Sequence, residues 1–197
     1  MRKYIYSFLL FIVSVNINAQ EKRLTVGLGA GLSFAQGDFK EWSKKGNCFY
    51  INVLYNLNDR FSAGVEGNFT RFSPPDVGDD DKTKIDGILL KGQYSFQFKN
   101  IKPYGAIMGG FYNNTFSFPT GYDGDTWTES IYSSSFGGGI MVGFNYKKLN
   151  VGIAYYNLGQ LNDKIVKWDD VEYVKSNISF IQLKVGLDIS FFTKKMD

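Results

Sequence analysis

The chain has 197 residues, 22 of them glycine, with aromatics at 17% and a formal charge of +3. There is no histidine and one cysteine, Cys48, so an intrachain disulfide is excluded. The usual carrier of proton transfer near neutral pH is also missing.

The N-terminus reads as a secretion signal. Met1-Arg2-Lys3 is a charged start, Tyr4 to Val15 is almost wholly apolar, and Asn18-Ala19-Gln20 offers a cleavage point after Ala19. The expected organisation is a signal peptide over 1–19 and one domain over 20–197. The apolar run is too short to span a bilayer as a helix. Cleavage removes Arg2 and Lys3 and no acid, so the formal charge falls from +3 to +1. Such a charge gives nucleic-acid binding no support.

The rest of the chain reads as strands with period-2 alternation. In the first, Leu24, Val26, Leu28, Ala30, Leu32 and Phe34 lie on one face, and Thr25, Gly27, Gly29, Gly31 and Ser33 on the other. The glycines sit inside the alternation, which argues against a phosphate-binding loop. Their small size leaves room for long side chains opposite. A polar loop over 36–47 leads to a second strand at 48–57, with Phe49, Ile51, Val53, Tyr55 and Leu57 outward. Asn58-Asp59-Arg60 is a tight turn. The third strand, 61–72, turns Val65 and Phe69 outward and Glu66 and Asn68 inward.

Pro74-Pro75 and Asp79 to Asp81 mark a break. A fourth strand at 86–98 follows, with Ile88 and Leu90 outward and Lys91 and Gln93 inward. After a short break at Lys99 to Pro103 comes a fifth at 104–117, whose faces compete. The even positions, Ala106 and Met108, are expected outward. A polar loop over 119–132 precedes a sixth strand at 134–146. Lys147-Lys148 turns the chain into a seventh at 149–157, and a loop over 158–176 leads to the last. There Ile181, Leu183, Val185, Leu187, Ile189 and Phe191 alternate with Gln182, Lys184, Gly186, Asp188 and Ser190. That run is as long as the roughly 9–11 residues a tilted strand needs to cross a bilayer.

The seven connections alternate long and short. This asymmetry is the mark of an outer-membrane barrel with short periplasmic turns and long extracellular loops. The expected fold is therefore all-β: an eight-stranded antiparallel up-and-down transmembrane β-barrel. An open sheet edge is not tolerated in lipid, so the first and last strands must pair.

The chain resembles the small outer-membrane barrels of Gram-negative bacteria, the family that includes the barrel of outer membrane protein A. It is similar in particular to the outer membrane protein beta-barrel domain proteins common in Bacteroidetes. The resemblance spans 20–197. It rests on Asn18-Ala19-Gln20, the glycine-alternating first strand and the aromatic-rich last one. Family members usually end on an aromatic residue read by the assembly machinery, whereas here Phe191-Phe192 is followed by Thr193 to Asp197. The resemblance implies an outer-membrane location, outer-membrane lipid and lipopolysaccharide as surroundings, and the barrel assembly machinery as partner during insertion. It implies no cofactor. Barrel enzymes of this membrane rely on histidine, so an enzyme is not expected. The expected role is structural or interactive, through the extracellular loops, with an accessory subunit of an outer-membrane complex as a special case. The alternative is a narrow porin-like channel or a small-ligand transporter.

Four inward charges stand out: Glu66, Lys91, Lys184 and Asp188. Glu66 and Lys91 fall at similar depth on neighbouring strands and are expected to pair. Lys184 and Asp188 are roughly 13 Å apart along one strand and need other partners. The expectation is a structural network that satisfies buried charges in a narrow lumen. The loop acids Asp76, Asp79, Asp80, Asp81, Asp123 and Asp125 do not follow calcium-loop spacing and are expected to be solvated. Trp42, Trp127 and Trp168 fall in separate loops, where they are expected to pack loops together.

Overall fold

The computed structural model describes residues 22–41, 43–73, 83–122, 125–167 and 170–192. Outside them lie the proposed signal, Trp42, Trp168, the acids Asp76, Asp79, Asp80 and Asp81, and Asp123. The side chains of Asp125 and Trp127 also fall outside the description. The strands are β1 (Lys22–Gln36), β2 (Lys45–Asn56), β3 (Phe61–Phe72), β4 (Thr83–Ser95), β5 (Ile101–Tyr122), β6 (Asp125–Tyr146), β7 (Leu149–Lys167) and β8 (Asp170–Phe192). Each pairs antiparallel with the next, and β8 returns to β1 to close the barrel. The closing register runs from Leu24 opposite Phe191 to Gln36 opposite Ser179.

Alternation sets the two faces. Leu28, Ile51, Val65, Leu90, Ile107, Val142, Ile153 and Val185 all point outward and are exposed. Soluble proteins do not leave so large an apolar surface in water. Aromatic residues flank this aliphatic band at both ends. At the short-turn end Phe61 packs against Tyr94 and Tyr94 against Phe96, with ring centroids 4.6 and 4.7 Å apart. At the other end Phe49 meets Phe69 and Phe111 meets Phe136, at 6.4 and 5.2 Å. An aliphatic belt between two aromatic girdles is the exterior that a bilayer selects.

The short connections are tight. The Asn58 side-chain oxygen accepts hydrogen bonds from the backbone N–H of Arg60 (2.9 Å) and Phe61 (2.7 Å), locking the β2–β3 turn. At the opposite end a 3-10 helix, Gly37–Glu41, follows β1 and folds Phe39 over the barrel, where it is 1% exposed.

Two expectations are corrected. The faces of β5 are reversed: Ala106 and Met108 point inward at 6% exposure, while Ile107 and Phe111 point outward at 71% and 72%. Register decides this. Met108 lies opposite Lys91, and Ala106 opposite Gln93. Residues directly opposite share a face, so the inward polar residues of β4 carry their apolar partners inward. Secondly, the stretches read as loops at 119–132 and 158–176 are largely paired strand. The β5–β6 ladder continues to Tyr122 opposite Asp125, and the β7–β8 ladder to Lys167 opposite Asp170. β6 and β7 part beyond Gly138 opposite Asn157, so two ribbons project past the wall. Apolar alternation ends where lipid ends, but backbone pairing does not need it.

Val185 lies mid-belt, between Ala30 of β1 and Val151 of β7. Val185→Arg is expected to cost about 2–4 kcal/mol, and Tyr132→Arg, beyond the girdle, about 0–1 kcal/mol. Urea titration of the barrel in phospholipid vesicles measures both.

The lumen as candidate functional site

The inward face is built by small residues yielding to large ones. A Cβ on Gly29 would strike the Tyr50 ring at 2.6 Å, and one on Gly139 would strike the Tyr156 ring at 2.8 Å. Gly143 and Gly152 make the same room for the Tyr104 hydroxyl, at 2.7 and 2.9 Å. The lumen is therefore filled by tyrosines lying on facing glycines, as the narrowness of eight strands requires.

Three of the four predicted charges meet at its centre. Glu66 is fully buried on β3. Lys91 Nζ, from neighbouring β4, donates to Glu66 Oε2 at 3.1 Å. Lys184 Nζ, from β8 across the lumen, donates to Glu66 Oε1 at 2.5 Å and to the Tyr156 hydroxyl at 2.8 Å. That hydroxyl in turn donates to Glu66 Oε1 at 3.2 Å. Lys184 also sits over the Tyr50 ring, 4.6 Å from its centroid. Asp188 does not join the cluster. Its Oδ2 accepts from Asn150 Nδ2 at 3.2 Å, nearer the short-turn end.

Above the charges, polar side chains form a ring. Asn68 Nδ2 donates to Gln182 Oε1 at 2.9 Å, and Gln182 Nε2 donates to Thr70 Oγ1 at 2.8 Å and Ser33 Oγ at 3.1 Å. Above that ring the lumen turns apolar. Tyr156 stacks on Phe180 at 5.0 Å, Phe180 meets Phe72 at 5.5 Å, and Phe72 meets Phe39 at 5.1 Å. Ile85, Leu158, Ile178 and Phe116 complete this layer. Towards the short turns the lumen opens instead into a polar cavity of about 300 Å³.

Sequence reading missed the apolar layer and the tyrosines. Tyr50, Tyr156 and Phe180 all fall on inward parity, and that is their only signal. Nothing in the sequence shows that Tyr156 stacks on Phe180 or that Phe180, Phe72 and Phe39 follow edge to face.

On the outside, Arg71 forms a two-pronged ion pair with Asp86, both half-exposed at the loop-side edge of the belt.

Glu66 is the shared acceptor of two buried cations, so its loss leaves both unpaired. Glu66→Ala is expected to destabilise by about 3–5 kcal/mol. Lys91→Met, which leaves the Glu66–Lys184 pair intact, is expected to cost less. Urea unfolding in vesicles orders the two.

Neither a protein-family model nor a curated protein matches the chain. Solved structures do. Neisserial surface protein A aligns with TM-score 0.58 and 20% identity, covering 88% of this chain and 100% of its own. OprG, an outer membrane protein from Pseudomonas aeruginosa, gives 0.53 and 14%, covering 88% and 99%. Ail, the attachment invasion locus protein of Yersinia pestis, gives 0.51 and 19%, covering 86% and 100%. At these identities the likeness carries the architecture: the chain has the closed eight-stranded barrel fold of these proteins.

Proposed function

We propose that the chain is a non-enzymatic barrel of a Gram-negative outer membrane, exported by the signal at 1–19 and folded over 20–197. Its role is to present the two projecting ribbons to a partner at the cell surface, either a matrix or an outer-membrane protein complex. The observation that carries this reading is the filled lumen. A solute entering from the ribbon side meets the Phe39–Phe72–Phe180–Tyr156 layer and then the Glu66 cluster. What remains available for recognition is the surface beyond the wall, where β5–β6 and β7–β8 continue as paired strands. Paired backbones give these segments a fixed register, which a loose loop lacks. Ail shares the fold and is an attachment invasion locus protein, and attachment is a mode of action this reading accommodates. The belt and its girdles support lipid and lipopolysaccharide as the surroundings. The buried network of Glu66, Lys91 and Lys184 serves as a structural plug in this account.

Planar-bilayer recording is expected to show no steady conductance. Steady conductance abolished by Glu66→Ala or Lys91→Ala would favour the narrow channel. Crosslinkers placed at Tyr132 and Asn177, at the roots of the ribbons, are expected to capture a discrete partner from native membranes. The same crosslinkers at Val185 should capture only lipid.

A further inference from the structure

The lining of the vestibule at the short-turn end includes three lysines, Lys99, Lys102 and Lys147, and two acids, Asp59 and Asp188. The inner acid is engaged. Asn150 Nδ2 donates to Asp188 Oδ2 at 3.2 Å, and the Asn52 amide lies beside the other carboxylate oxygen, both within contact of a Cβ built on Gly27. In the outer part of the vestibule three lysines therefore face one carboxylate, Asp59.

Two amides in the same lining, Asn58 and Asn145, are turned one way. Asn58 Oδ1 accepts from the backbone N–H of Arg60 and Phe61. Asn145 is set by a relay. The Tyr104 hydroxyl donates to Asn150 Oδ1 at 3.0 Å, which leaves Asn150 Nδ2 to donate to Asn145 Oδ1 at 2.5 Å. With their oxygens committed, both amides offer N–H groups to whatever enters.

The backbone under the lysines carries a second sign. Among the described residues, Lys99 and Lys147 are the non-glycine residues with positive φ, at 51° and 55°. Each opens a two-residue hairpin loop, one between Phe98 and Ile101, the other between Tyr146 and Leu149. Glycine adopts such a φ without strain and lysine does not. Two hairpins at one mouth thus both keep lysine where glycine would be the less strained residue. Strain of this kind collects at functional sites.

We propose that the outer part of this vestibule binds a small dissolved oxyanion, a phosphate or a dicarboxylate, held by Lys99, Lys102 and Lys147 with Asn58 and Asn145 as hydrogen-bond donors. Lysine engages such groups as a point charge rather than a fork, which suits a ligand held in a space of about 300 Å³. Lys147 Nζ rests 5.5 Å from the centroid of the Tyr146 ring, an exposed contact weak enough to exchange for an anion. Exposed ammonium groups gain little each, so a Kd of about 10⁻³ M is expected. The Glu66 cluster and the aromatic layer close the far end, so the site holds the anion and does not pass it.

Magnetic-resonance titration of the isotope-labelled full chain, folded in maltoside micelles that carry no phosphate, tests this. Sodium phosphate or sodium succinate replaces NaCl at constant ionic strength and neutral pH. The side-chain amide signals of Asn58 and Asn145 are expected to shift saturably with at least one of the two anions, and the anion that saturates them identifies the class bound. Lys99→Gly and Lys147→Gly should each weaken binding about threefold or more. Both should leave the urea midpoint in vesicles unchanged or raised, because each relieves a strained φ. Asp59→Asn, which removes the opposing charge, should tighten binding. Lys84→Ala, on the outer wall at the ribbon end, should leave it unchanged. Absence of saturable shifts with both anions overturns the proposal, as does wild-type affinity in the Lys99→Gly, Lys147→Gly double variant. Heat-modifiable migration on a gel establishes that each variant is folded. If the glycine variants do not fold, Lys99→Gln and Lys147→Gln, which remove only the charge, decide by the same loss of affinity.

Discussion

Everything in this molecule depends on the pairing of β1 with β8. In lipid no water reaches an unpaired N–H or C=O, and each would cost several kcal/mol. A sheet there must close on itself, and eight strands close to a lumen only wide enough for side chains. Closure therefore makes a second demand at once: whatever points inward must fill the space and satisfy its own polarity. Glycines on β1, β6, β7 and β8 facing tyrosines on β2, β5 and β7 meet the first part of that demand. The hydrogen-bonded ring of Ser33, Asn68, Thr70 and Gln182 meets the second.

The charges follow the same logic at higher stakes. A buried ion pair gains little net stability, because desolvation offsets the attraction, but breaking one is costly. Glu66 takes two lysines, and the excess positive charge of that cluster is spread over the faces of Tyr50 and Tyr156. The apolar layer above it keeps water out and strengthens the pairing within. The lumen is thus graded, from an aromatic seal on the ribbon side, through a compact ionic centre, to a wet vestibule on the turn side. A graded interior of this kind separates the two mouths chemically.

Much of the wall was legible in the chain. Leu24 to Phe34 and Ile181 to Phe191 alternate without a fault, because one face of each meets only lipid and the other only the lumen. β5 was not legible, because its inward residues Tyr104, Ala106, Met108 and Phe116 are as apolar as the outward Ile107 and Phe111. Two apolar faces leave no alternation to read. The ribbons were hidden for the opposite reason. The stretches 119–132 and 158–176 are rich in polar residues, and polarity that reads as loop is compatible with a ladder held by backbone bonds. Of the lumenal charges, Glu66 and Lys91 are neighbours in the sheet and could be matched by depth. The approach of Lys184 to Glu66 crosses the barrel, and pattern along a strand says nothing about what faces it from the other wall.

The sequence by itself determined the strands within the belt, their number, the direction of most side chains and hence closure, since these follow from period-2 alternation and from what lipid forbids. Tertiary structure alone decided the inside. Which tyrosine lies on which glycine, why Lys184 shares Glu66 with Lys91 while Asp188 stands apart beside Asn52, and where the aromatic seal forms all depend on register around the ring. Register is a cooperative property of eight strands, set only when the last one returns to the first.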